Sequence, residues 1–176
     1  MRRLPRIKTS IFRCNGYTRV NSIVAKYVIV HGFLEVTGSI RSDRLLVIGG
    51  IKAKEVLTDI AVLDISAPST IIDLKTRVLR VHKKNNGRLY CSCITANNVY
   101  LTYTHVNVIT AKIITLNDGC VIDKLTTNKN IIIRVNSPYC SFRTNPLKNN
   151  ASRILVLFNY HNIYSQDPFS PKRSSP

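Results

Sequence analysis

A short phrase recurs along this chain: an apolar residue, a small residue two places on, and two more apolar residues five and seven places on. Ile23, Ala25, Val28 and Val30 carry it, and Ile40, Ser42, Leu45 and Val47 repeat it with every position displaced by 17. Ile94, Ala96, Val99 and Leu101 are followed by Ile109, Ala111, Ile114 and Leu116, displaced by 15. Partial copies stand at Ile51, Ala53, Val56 and at Ile65, Ala67, Thr70, Ile72, and Leu125, Thr127, Ile131, Ile133 is a copy with one extra residue. Self-similarity at a fixed short period marks a repeat architecture and limits the folds open to the chain more than any other feature.

A period of 15 to 17 is too short for a helix pair or a propeller blade and suits one coil of a β-solenoid. The apolar positions alternate within each phrase, as in a strand with one buried face, and Val, Ile and Thr are residues that favour strands. The alternation skips one beat after the small residue. A corner is placed there, where little room remains for an inward side chain. Gly32, Gly38, Gly49 and Gly50 mark further bends, and Leu34 and Val36 are expected to point inward between them. The step from Ile40 to Ile51 is too short for a coil, and a coil near Leu79 and Val81 runs into Lys83–Gly87, which reads as a protruding loop. The expected fold is all-β: one parallel β-helix of six or seven coils with flexible tails. A globular β-sandwich is the alternative, but it gives no reason for one pattern to recur at one offset.

At 176 residues the chain is one domain with tails: a basic leader over 1–16, a rod over 17–136 and an extension over 137–176. Ile154–Phe158 is expected as a strand able to cap the last coil, and 167–176 as a disordered end. With 7% aromatic residues and no Trp, the core must be aliphatic. No secretory signal is visible, so the expected compartment is the cytoplasm. The five cysteines are odd in number, and Cys91/Cys93 is not a CxxC pair. No cofactor or metal is expected: a zinc site needs four well-spaced ligands, and His31, His82, His105 and His161 are scattered. The nine carboxylates are mostly isolated between apolar residues, Asp59 with Asp64 and Asp118 with Asp123 lying nearest to each other. They are expected to pair with Lys or Arg at corners. Neither phosphate-binding glycine loop nor nucleophile elbow is present, so no catalytic residue and no small-molecule substrate is assigned.

The run from Ile23 to Ala53, with Gly50-Ile51-Lys52-Ala53 at its end, resembles the coil pattern of bactofilins, the polymer-forming cytoskeletal proteins of bacteria and archaea. The resemblance covers about residues 20–136. It implies a right-handed β-helix that joins end to end into nucleotide-free filaments, some members of the family carrying a short membrane-targeting segment before the rod. The thinning of glycines after Gly50, the net charge of +17 and the Lys83–Gly87 loop depart from the pattern.

A solenoid has two open ends with unpaired backbone groups, which must be hidden or used. Used in a contact that does not close, they give a fibre. The first rung is expected to contain Ile23, Val28 and Val30, and the last Ile131, Ile133 and Val135; the partner is then another copy of the chain. If Ile154–Phe158 folds back over the last coil, a monomer or dimer results instead. In the leader, Leu4, Ile7 and Ile11 fall at helical spacing beside Phe12, amid Arg2, Arg3, Arg6, Lys8 and Arg13. This reads as a basic anchor for an anionic membrane surface at the inner face of the cell membrane, with a solvated arm as its plainer alternative. The second functional reading is nucleic-acid binding through Lys75, Arg77, Arg80, Lys83, Lys84 and Arg88, with Tyr90, Tyr100 and Tyr103 for stacking.

Overall fold

The computed structural model describes residues 5–126, 131–144 and 154–158. Twelve strands follow in order: β1 (Arg6–Val20), β2 (Ser22–Ile65), β3 (Ser69–Lys75), β4 (Val78–Lys83), β5 (Leu89–Thr95), β6 (Asn98–Leu101), β7 (Thr104–Thr110), β8 (Ile113–Leu116), β9 (Val121–Thr126), β10 (Ile131–Val135), β11 (Ser141–Thr144) and β12 (Ile154–Phe158). Every paired neighbour runs parallel. The chain is an all-β solenoid of about seven turns. From β3 onward each turn contributes two strands, so the sheet path runs β11-β9-β7-β5-β3-β2-β4-β6-β8-β10-β12, with β1 laid on β2.

The recurring phrase is the inward face of two sides of each turn. Its first position stacks Ile23, Ile40, Val56, Leu74, Ile94, Ile109 and Leu125, all buried. Its third and fourth positions stack Leu79 on Val99 on Ile114 on Ile133, and Leu101 on Leu116 on Val135. A second kind of inward pair completes the turn: Leu34 and Val36, Ile51 and Ala53, Ser69 and Ile71, Leu89 and Cys91, Thr104 and Val106, Cys120 and Ile122. Three inward pairs per turn, each separated from the next by three or more residues, give three short sides. Full burial of each such Val, Leu or Ile contributes roughly 1.5–3 kcal/mol against exposure, and the chain repeats the gain turn after turn.

The corner falls where the skipped beat predicts, between β5 and β6 at Ala96 and between β7 and β8 at Ala111. Where the small residue is Thr, its hydroxyl donates to the carbonyl two residues on: Thr9 to Ile11, Thr58 to Ile60 and Thr76 to Val78. A local bond of this kind satisfies a carbonyl that the bend takes out of the ladder. The next corner is a column of glycines. Gly16, Gly32 and Gly49 all take positive φ, and a Cβ on Gly49 would run into the Gly32 carbonyl as one on Gly32 would run into that of Gly16. Only glycine allows both the angle and the approach.

Three expectations are corrected. Ile51, Ala53 and Val56 are not a copy of the phrase: Ile51 and Ala53 are the second kind of inward pair, which is why the step from Ile40 is short. Ile65, Ala67, Thr70, Ile72 is out of phase, since Ile71 is buried while Thr70 and Ile72 face solvent. The leader is a full turn of the solenoid from Arg6 onward, not a helix or an arm; it pairs with β2 over Arg6–Val20, so the rod begins before residue 17. Ile7, Thr9, Phe12 and Cys14 carry the phrase one step of 16 before Ile23. Lys83 ends β4 paired with Ile65, Lys84 N–H donates to the Ile65 carbonyl, and the chain turns back to β5 through a Gly87 N–H to Lys84 carbonyl bond. Arg2, Arg3, Leu4, Thr127 and the end over 167–176 lie outside the described residues.

Candidate assembly surfaces

The first described turn of the rod ends in β1. Its inner edge pairs with β2, and among the described residues nothing pairs with its outer edge. Inward, β1 presents Phe12 and Cys14 to the core, while Ile7 packs against it. Outward it carries Arg6, Lys8 and Arg13, all exposed, with Ile11 48% and Tyr17 64% exposed. The Tyr17 hydroxyl donates to the Glu35 carboxylate at 2.8 Å, and its ring stacks on Phe33 in the next turn. Lys8 also borders a surface groove of about 720 Å³ that crosses four turns past Lys26, Arg41, Asp43 and Asp59.

Ile23, Val28 and Val30 are not the end rung. They are fully buried, because β1 covers them through Ile7↔Ile23, Phe12↔Val28 and Cys14↔Val30. At the opposite end Ile131, Ile133 and Val135 are buried too. The expected capping strand is there: β12 pairs with β10, setting Ile154 beside Ile131, Val156 beside Ile133 and Phe158 beside Val135. On the other sheet path β11 pairs with β9. The end rung therefore passes to β11 and β12, where Leu155 is 52% and Leu157 39% exposed.

The flank carries charge in pairs set by the winding. Glu35 lies between Arg19 and Lys52 of the flanking turns, at 3.5 and 3.8 Å. The Tyr17 hydrogen bond, with help from these cations, holds its carboxyl below the ordinary value. Arg77 grips Asp59 through two bonds of 2.8 and 3.2 Å and lowers its pKa. Asp64 meets His82 at 3.0 Å and Lys84 at 3.1 Å; burial pushes its pKa up, but the two hydrogen bonds outweigh it and the net shift is downward. Lys75 pairs with Asp73, and His105 with Asp123. Among the described residues no group of three or more His, Cys, Asp or Glu side chains could hold a metal.

The six residues of the basic patch are not brought onto one side. From Lys75 to Arg88 they run around most of one turn, which is 20 residues long at this point. Lys75, Arg77 and Lys84 are spent on local carboxylates. Arg80 lies over the Tyr100 ring at 5.4 Å and Lys83 over Tyr103 at 3.7 Å, contacts in which the rings already face a cation.

An apolar stripe on the flank escaped the sequence reading. Ile29, Leu46 and Val62 are half-buried in consecutive turns, each between two inward residues of its strand. The signal was the near-continuous apolar runs Tyr27–Val30 and Leu45–Ile48, which mark strands apolar on both faces.

No protein-family model, curated protein or solved structure matches the chain. No helix among the described residues is long and apolar enough to cross a membrane.

Proposed function

We propose that this chain is a non-enzymatic structural scaffold whose copies stack end to end into nucleotide-independent filaments. The observation that supports this reading is the outer edge of β1, fifteen residues of strand with no partner among the described residues. A parallel edge of that length is a template for another strand. The strand that fits it in direction is the edge presented by β11 and β12 of a second copy, a head-to-tail contact that does not close. The bactofilin-like coil pattern of residues 20–136 supports the same role. Arg6, Lys8 and Arg13, which project outward from β1, supply attraction for an anionic membrane surface, each cation contributing about 1 kcal/mol near such a surface.

Ile133, expected in the last rung, is fully buried in the core, so a test of assembly belongs on the edge strand. The Pro5 carbonyl accepts from the Asn21 N–H of the next turn. Alternation along the strand then turns the Arg6 and Lys8 N–H groups to the outer edge. Lys8→Pro removes one outward donor without breaking a bond to β2, and proline is tolerated on an edge strand. Purified wild-type protein should sediment as filaments visible in negative stain without nucleotide. Lys8→Pro should abolish them while the β-rich circular dichroism persists, and Lys8→Thr should retain them. A monodisperse wild-type monomer across concentration and salt overturns the scaffold; tight, salt-sensitive binding of duplex or single-stranded nucleic acid by that monomer would favour the alternative.

A further inference from the structure

Cys120 and Cys140 occupy the same inward column in successive turns. Ser141 N–H donates to the Cys120 carbonyl at 3.0 Å, and the following residues, Val121 and Ser141, are paired across the ladder. Cross-strand neighbours in adjacent rungs lie about 4.8 Å apart, inside the Cα range that a disulfide bridges. Both thiols converge on one turn: Cys120 Sγ lies 3.8 Å from the Asp118 carbonyl oxygen and Cys140 Sγ 2.6 Å from that of Asn117. The two differ in access. Cys120 is fully buried, whereas Cys140 is half-buried near the end of the stack. Their acidities differ in the same sense. The neighbouring Cys120 thiol lowers the Cys140 pKa to about 7, and Cys140 together with burial raises that of Cys120.

We propose that Cys120 and Cys140 are an oxidisable dithiol that closes to a disulfide stapling the last turn of the solenoid to the one before it. Cys140 is the attacking sulfur. As thiolate it displaces one half of a low-molecular-weight disulfide, forming a mixed disulfide and releasing one thiolate. Cys120 then loses its proton and attacks the Cys140 sulfur, expelling the second thiolate. The dithiol is oxidised by two electrons, and the external disulfide is reduced to two thiols. Cys14, buried in the first described turn, is paired with Val30, and Cys91, buried in the middle of the stack, with Ile71 and Val106, so neither has a cysteine across the ladder; the Cys91 thiol, pushed up to about 12 by burial, donates to the Cys93 carbonyl. The staple forms in a monomer and a polymer alike, so it stands apart from filament formation.

The test uses the full chain, incubated with oxidised glutathione, alkylated and mapped by mass spectrometry. Alkylatable thiols should fall from five to three, with the Cys120 and Cys140 peptides joined. Cys120→Ser should hold one glutathionyl group on Cys140, since the resolving thiol is gone. Cys140→Ser should form neither the bridge nor an adduct on Cys120 at the wild-type rate. Five thiols remaining in the wild type, or a bridge mapped elsewhere, such as Cys91 to Cys93, overturns the proposal. The wild-type map decides this even if a serine variant fails to fold.

Discussion

At the residue scale, what defines this fold is which side of the strand a residue takes, not its hydrophobicity. Ile71 and Ile72 are the same residue in the same strand; one is buried and the other 49% exposed. The small corner position makes the same point differently: Ala25, Ala96 and Ala111 fit by lacking a polar atom, Thr9, Thr58 and Thr76 by bonding a carbonyl two residues on. Thr58 and Thr76 complete copies of the phrase at Val56–Leu63 and Leu74–Val81, but Ile51 with Ala53 and Ile65 with Ala67 imitate its first half in the same stretch and draw the reading off register. That is why the ladders from Ile23 to Val47 and from Ile94 to Leu116 were legible and the middle was not. Two truncations to alanine separate these roles. Leu79→Ala empties a space between Ala61 and Val99 and should cost about 2–5 kcal/mol in urea unfolding. Ile72→Ala should stay within about 0.5 kcal/mol of the parent. Equal losses would mean that the inward column is not the one described.

At the element scale, the two ends were read least well, for opposite reasons. β1 hid because Leu4, Ile7 and Ile11 mimic helical spacing and Pro5 suits a first helical turn, while the strand signal lies in Thr9 and Cys14, residues that look polar or reactive rather than core-like. Tertiary pairing over Arg6–Val20 overrides that local spacing. β12 was visible as an apolar run of five, but its register could not be read, because a step of 23 joins Ile131 to Ile154 where earlier turns step by 15 to 20. Val156 packs against the core opposite Ile133. Val156→Asp puts a carboxylate against that aliphatic column, at a cost of about 1–3 kcal/mol for an unpartnered polar group. The expected result is loss of amide hydrogen-exchange protection confined to β10 and β12, with β3 to β8 unchanged. Protection retained in β10 would show that its edge does not depend on β12.

At the scale of the whole molecule, net charge opposes the proposed stacking. About seven turns at ~4.8 Å each give a rod of roughly 34 Å, and the whole chain, its two ends included, carries +17. Several of the carboxylates are already committed to cations of neighbouring turns, so they offset charge within the rod and leave its net excess facing outward. Rods stacked end to end bring like-charged bodies within one rod length. That separation is about the screening length at 0.01 M salt and some three times the screening length at 0.1 M. In the proposed assembly, repulsion between copies would be felt at low salt and largely screened near 0.1 M, whereas pairing of β1 with β11 and β12 would rest on backbone hydrogen bonds and apolar contact, which salt leaves nearly intact. Sedimentable protein should rise as salt goes from 0.01 to 0.3 M. Polyanion binding has the reverse slope, because each phosphate contact releases condensed counterions and loses affinity with added salt. Measuring both slopes on one preparation separates the two: assembly that falls with salt in step with bound nucleic acid would mean that the polyanion, not the β1 edge, holds the copies together.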